Sequence, residues 1–64
     1  MNPGLKLKIK RIEKGYKQED LGALIGVSRQ AISLYERGKL SPKLENMKKL
    51  SSILNIPIEQ LFID

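Results

Sequence analysis

The sequence contains neither cysteine nor histidine. The first absence excludes a disulfide framework, and the two together remove the usual zinc ligands. They also remove the Ser–His and Cys–His pairings that activate a nucleophile, and no paired-carboxylate arrangement stands in their place. The five glycines are isolated from one another, so no glycine-rich phosphate loop is formed. An enzyme is therefore not expected, nor is a metal, a cofactor or a small-molecule ligand. No apolar run approaches the roughly 20 residues that span a bilayer. The lysines near the N-terminus are not followed by an uninterrupted apolar stretch, which argues against a signal peptide. The expected location is cytoplasmic, and a chain without cysteine is compatible with a reducing compartment.

What is present is positive charge. Twelve basic residues against seven acidic ones give a net charge of +5 on 64 residues. A field of that sign on so short a chain favours polyanions. Charge alone does not separate such a binder from a merely soluble basic protein. The length is that of one domain, residues 1–64, which buries only about 60% of its unfolded surface. Its stability must come from helix packing, helped by association with a second copy.

Glycine and proline divide the chain into five helix-sized segments. Residues 5–14, closed by Gly15, are ambiguous. Leu5, Leu7 and Ile9 alternate with lysines as a strand would, while Leu5, Ile9 and Ile12 fit one helical face. Helix is the better reading, since no second strand signal exists to pair with. Residues 18–25 put Leu21, Leu24 and Ile25 on one apolar face, with Glu19 and Asp20 in the first turn where the helix dipole favours acid. A third helix is capped by Ser28 and runs to Arg37 before Gly38. After Ser41 and Pro42, a fourth carries a stripe of Leu44, Met47, Leu50 and Leu54, with Ile53 beside it. The last, residues 58–62, follows Pro57. The predicted class is all-α, a compact five-helix domain.

The informative stretch is residues 18–35. Two short helices joined by three residues, 26–28, must cross at a large angle. The fifth position of the stretch must be small where the helices touch, and it is Gly22. The ninth needs a left-handed backbone, and it is Gly26. Positions 4, 8, 10, 15 and 18 must be apolar to hold the pair together. They are Leu21, Ile25, Val27, Ile32 and Tyr35.

On these residues the chain resembles the lambda repressor and Cro type of helix-turn-helix domain, the Xre family. The matching segments are Lys17-Gln-Glu-Asp-Leu21, Gly26-Val-Ser-Arg-Gln-Ala-Ile-Ser-Leu-Tyr-Glu-Arg-Gly38, Ser41-Pro-Lys-Leu-Glu-Asn-Met-Lys-Lys-Leu50 and Leu54-Asn-Ile-Pro-Ile-Glu-Gln-Leu-Phe62. The resemblance implies a lambda-repressor-like bundle with its helix-turn-helix at about 18–37, the third helix lying in a DNA major groove. It implies a transcriptional regulator, a repressor, that binds an inverted repeat of double-stranded DNA as a homodimer, at least on DNA. The protein would be nucleoid-associated when bound. Gln18, Ser28, Arg29, Gln30, Ser33 and Leu34 would face bases, Gln18 and Ser28 also touching phosphate. Arg11, Lys17, Arg37, Lys39 and Lys43 would contact or flank phosphates, and Arg11 would pair with Glu36. The apolar residues Ile58, Leu61, Phe62 and Ile63 would leave a dimer contact.

The chemistry of the residues agrees with these roles. Arginine suits guanine O6 and N7, glutamine suits adenine N6 and N7, and leucine can meet a thymine methyl. Two positions depart from the family pattern. Lys17 stands where Ser or Thr is usual, which removes a side-chain cap worth roughly 1 kcal/mol. Gly22 stands where Ala is usual, lowering helix propensity by up to about 1 kcal/mol. The alternative reading is an adaptor on the same fold, an antitoxin or anti-repressor that docks a regulatory protein partner through its apolar C-terminal end. A third is charge-driven, non-specific nucleic-acid binding.

Overall fold

The computed structural model describes residues 3–62. Five helices follow one another along the chain: α1 Pro3–Glu13, α2 Gln18–Ile25, α3 Arg29–Glu36, α4 Leu44–Leu54 and α5 Ile58–Phe62. Among the described residues there is no strand, and no helix is long and apolar enough to cross a membrane.

Local chemistry sets the helix ends. At the start of α2 the Asp20 carboxylate accepts from the backbone N–H of Lys17 at 3.4 Å, half of a capping box, while Lys17 supplies no side-chain cap. At the start of α3 the Ser28 hydroxyl accepts from the backbone N–H of Ala31 at 3.1 Å. Gly26 ends α2 in the left-handed region, φ 80°, and the backbone N–H of Val27 closes that end on the carbonyl of Gly22 at 2.9 Å. Asn55 plays the same part after α4, at φ 55°.

α2 packs on α3, α1 on α3 and α5, and α4 on α5 and, more lightly, α2. Leu7, Leu21, Ile25, Ile32, Tyr35, Leu50, Leu54 and Leu61 form the buried core. Fully burying a side chain of this size contributes about 1.5–3 kcal/mol, so eight such residues carry most of what a small domain can gain.

Three expectations about facing are corrected. In α1 the inward residues are Gly4, Leu7 and Arg11, one helical face at spacings of three and four. Leu5, Ile9 and Ile12 lie on the opposite side and are exposed. In α2, Leu24 is exposed while Leu21, Gly22 and Ile25 face in. In α4, Leu44 is exposed and Asn46 takes an inward position with Leu50 and Leu54. Leu44 lies six residues before Leu50, which at 3.6 residues per turn points it about 120° away.

The interhelical turn explains Gly22. A Cβ there would lie 2.7 Å from the carbonyl oxygen of Val27 and 3.2 Å from that of Ser28, both backbone atoms. The propensity lost by glycine is thus the condition for the turn to close so tightly. A Gly22→Val substitution should lower stability by about 1–3 kcal/mol. Urea unfolding should register it as a lower midpoint at unchanged slope, and an unchanged midpoint would refute the tight contact.

Candidate nucleic-acid interface

α3 has two distinct sides. Ile32, Tyr35 and Glu36 are buried. Arg29, Gln30, Ser33, Leu34 and Arg37 follow at i, i+1, i+4, i+5 and i+8, the other side of the same helix. Arg29, Gln30 and Arg37 are exposed, Ser33 and Leu34 half-buried. Together with Gln18, at the first position of α2, these five line one shallow depression of about 390 Å³. Residues 19 positions apart in sequence, Gln18 and Arg37, thereby share a surface. Ser28, exposed, borders it as the cap of α3.

Beneath this surface lies a buried polar cluster. The Arg11 Nε donates to Glu36 Oε2 at 2.6 Å and its Nη2 to Glu36 Oε1 at 3.2 Å. The third donor, Nη1, bonds the carbonyl of Tyr16 at 2.9 Å, in the connection between α1 and α2. The Gln18 Nε2 donates to Glu36 Oε1 at 3.0 Å. The side chains of Arg11 and Glu36 are only 10% and 3% exposed. No buried side-chain nitrogen or oxygen among the described residues lacks a partner. The Glu36 carboxylate at the end of α3 therefore ties down α1 and the first residue of α2, while Arg11 holds the turn between them.

The sequence-derived residues divide accordingly. Gln18, Arg29, Gln30, Ser33 and Leu34 are brought together as one surface, joined by Arg37. Lys17, Lys39 and Lys43 are exposed. Lys43 stands 3.6 Å from Glu45, but both side chains are more than 60% exposed, and such a pair contributes little. Arg11 is buried, with three of its five N–H donors engaged within the protein, and forms part of the frame beneath that surface. At the C-terminal end, Leu61 has no exposed surface and is a core residue, so it is withdrawn as a dimer contact. Ile58 and Phe62 are half-buried. Ile63 lies outside the described residues.

Two features escaped the sequence. A Cβ on Gly4 would lie 2.5 Å from the carbonyl oxygen of Glu36 and would also meet that of Tyr35. The start of α1 therefore rests on the last carbonyls of α3. The second is the bond from Gln18 to Glu36, since nothing in a spacing of 18 residues announces it.

A short helix joined by a tight turn to a second that exposes an arginine and a glutamine in its first turn is the helix-turn-helix arrangement. The comparisons agree. The helix-turn-helix family model matches residues 7–61. The chain is 40% identical over 58 residues to a prophage-derived HTH-type transcriptional regulator of Bacillus subtilis, YonR, covering 91% of this chain and 54% of that protein. It is 37% identical over 59 residues to the transcriptional repressor RstR of the cryptic phage CTXphi in Vibrio cholerae, covering 92% and 53%. The P22 c2 repressor, solved in complex with a synthetic operator, superposes with a TM-score of 0.94 at 32% identity, over 100% of this chain and 98% of that one. The chain belongs to the Xre family of helix-turn-helix proteins, the lambda-repressor type. It spans about half the length of the two curated relatives.

Removing one partner of a buried ion pair strands the other. Arg11→Met should cost about 3–5 kcal/mol, read as a fall in thermal midpoint. The double variant Arg11→Met/Glu36→Leu should be markedly more stable than the single variant. Equal losses in the two would contradict a coupled pair.

Proposed function

We propose that the protein represses transcription by binding an inverted-repeat operator as a dimer, with α3 of each copy in a major groove. The observation that carries this reading is the single surface shared by Gln18, Arg29, Gln30, Ser33, Leu34 and Arg37. Its members are the donors, acceptors and apolar groups that base edges accept, and no exposed acid belongs to it. The similarity to the P22 c2 repressor on its operator and to the repressor RstR favours the same action here.

Arg29 and Gln30 stand in the first turn of α3, the part that reaches deepest into the groove, and read bases. Ser33 and Leu34 lie further along, Leu34 suited to a thymine methyl. Gln18 meets an outer base pair and the adjoining phosphate, and Ser28 combines capping with a phosphate or base contact. Lys17, Arg37, Lys39 and Lys43 supply salt-sensitive affinity without sequence information. Two recognition helices bound to successive major grooves lie roughly 34 Å apart. The Cα envelope of one copy measures 25 × 23 × 21 Å, so at that spacing any contact between copies is made by side chains that project from facing ends. Ile58 and Phe62, with Ile63, are the apolar residues assigned to that contact. The protein acts in the cytoplasm, on the nucleoid when bound.

Selection of bound duplexes from random sequence should return an inverted repeat with half-sites about 10 base pairs apart, occupied by two chains. Gln30→Ala should relax preference at one position of each half-site and cost about 1–3 kcal/mol. Lys39→Ala should weaken all duplexes alike and reduce the salt dependence by about one counterion. A selected pool without consensus, or a uniform loss from Gln30→Ala, would refute direct readout by α3.

A further inference from the structure

We infer that Glu36 is a specificity-positioning residue: by holding the Gln18 carboxamide in one orientation, it makes Gln18 accept adenine and reject guanine at the outer base pair of the half-site. The inference rests on the proposed contact of Gln18 with that base pair.

Glu36 does not reach DNA itself, since its side chain is only 3% exposed. It acts through the 3.0 Å bond from Gln18 Nε2 to its Oε1. The two carboxylate oxygens already receive both ends of the Arg11 guanidinium, at 2.6 and 3.2 Å. A carboxylate so paired only accepts hydrogen bonds. Turning the Gln18 amide over would set its carbonyl oxygen against a carboxylate oxygen at the same distance, two acceptors with no hydrogen between them. The chemistry of Glu36 thus fixes which end of the amide faces inward.

What remains for a ligand is the Gln18 carbonyl oxygen and one N–H. That is an acceptor and a donor, the complement of adenine N6–H₂ and N7. Guanine offers O6 and N7, two acceptors. A mobile glutamine could direct both amide hydrogens at them. Gln18 cannot, because one of its hydrogens is held by Glu36. A glutamine free in solvent would discriminate less, and the buried ion pair supplies the difference.

The test compares two operator duplexes that differ only in adenine or guanine at the base facing Gln18. The wild-type protein should prefer adenine by roughly tenfold. Gln18→Ala should abolish that preference and leave the preferences read by α3 intact. Arg11→Met/Glu36→Gln leaves no buried charge unpaired and gives residue 36 an amide that can donate or accept. It should bind the two duplexes with near-equal affinity while keeping selection at the Gln30 position. In the wild-type complex, through-bond NMR coupling should link Gln18 Nε2 to the Glu36 carboxylate, a measurement that does not depend on the double variant folding. Retention of the adenine preference in the double variant, or absence of the coupling, would overturn the role of Glu36. If Gln18→Ala leaves the outer base pair unaffected while Gln30→Ala relaxes its own, the assignment of Gln18 fails and the inference with it. A wild-type protein without preference at any position would instead refute operator recognition as a whole.

Discussion

The buried pair of Arg11 and Glu36 is the constraint on which the other features depend. It joins residues 25 positions apart and lies where α1, the start of α2 and the end of α3 meet. Buried ion pairs are a poor source of net stability, because desolvation offsets most of the attraction. The contribution of this one is geometric. A guanidinium presents its donors in a fixed plane, so engaging Glu36 and the Tyr16 carbonyl together fixes the end of α3 relative to α1. Gly4 lets the start of α1 approach the last carbonyls of the same helix. α3 is thus held at its C-terminal end by α1 and at its N-terminal end by the tight turn over Gly22.

With both ends fixed, the outer side of α3 has a single aspect. Ile32 and Tyr35 pack into the core on one side, and the arginines, Gln30, Ser33 and Leu34 occupy the other. Gln18 joins that surface from the first position of α2, its side-chain amide bonded to Glu36. Core packing and the surface proposed to face DNA are two sides of the same eight-residue helix. Substitutions at Arg11 and Glu36 should therefore be felt at the base pair facing Gln18 as well as in stability.

The helix-turn-helix was legible in the sequence because its determinants are local. Gly22, Gly26 and the apolar positions from Leu21 to Tyr35 act through spacings of a few residues, and the structure places them as those spacings require. α1 was misread for a physical reason. Leu5, Ile9 and Ile12 make an acceptable apolar face, and periodicity counts an arginine as an outward residue. The face actually buried contains Arg11, whose partner lies 25 residues away. Leu44 was similarly misplaced, since a stripe drawn on leucines alone passes over Asn46. Exposure of Lys17, Lys39 and Lys43 followed from composition. The pairing of Arg11 with Glu36 came from the family resemblance; the bonds of Gln18 to Glu36 and of Arg11 to the Tyr16 carbonyl did not, because they exist only once three helices have met.

The central claim is that one surface, built from the outer side of α3 and the first residue of α2, meets DNA. Backbone and side-chain amide shifts followed while a selected operator duplex is added test it most directly. The largest changes should fall on Gln18, on residues 28–34 and on Arg37. The exposed side of α1, at Leu5, Ile9 and Ile12, should change little. A shift map centred on α1, with α3 unaffected, would contradict it.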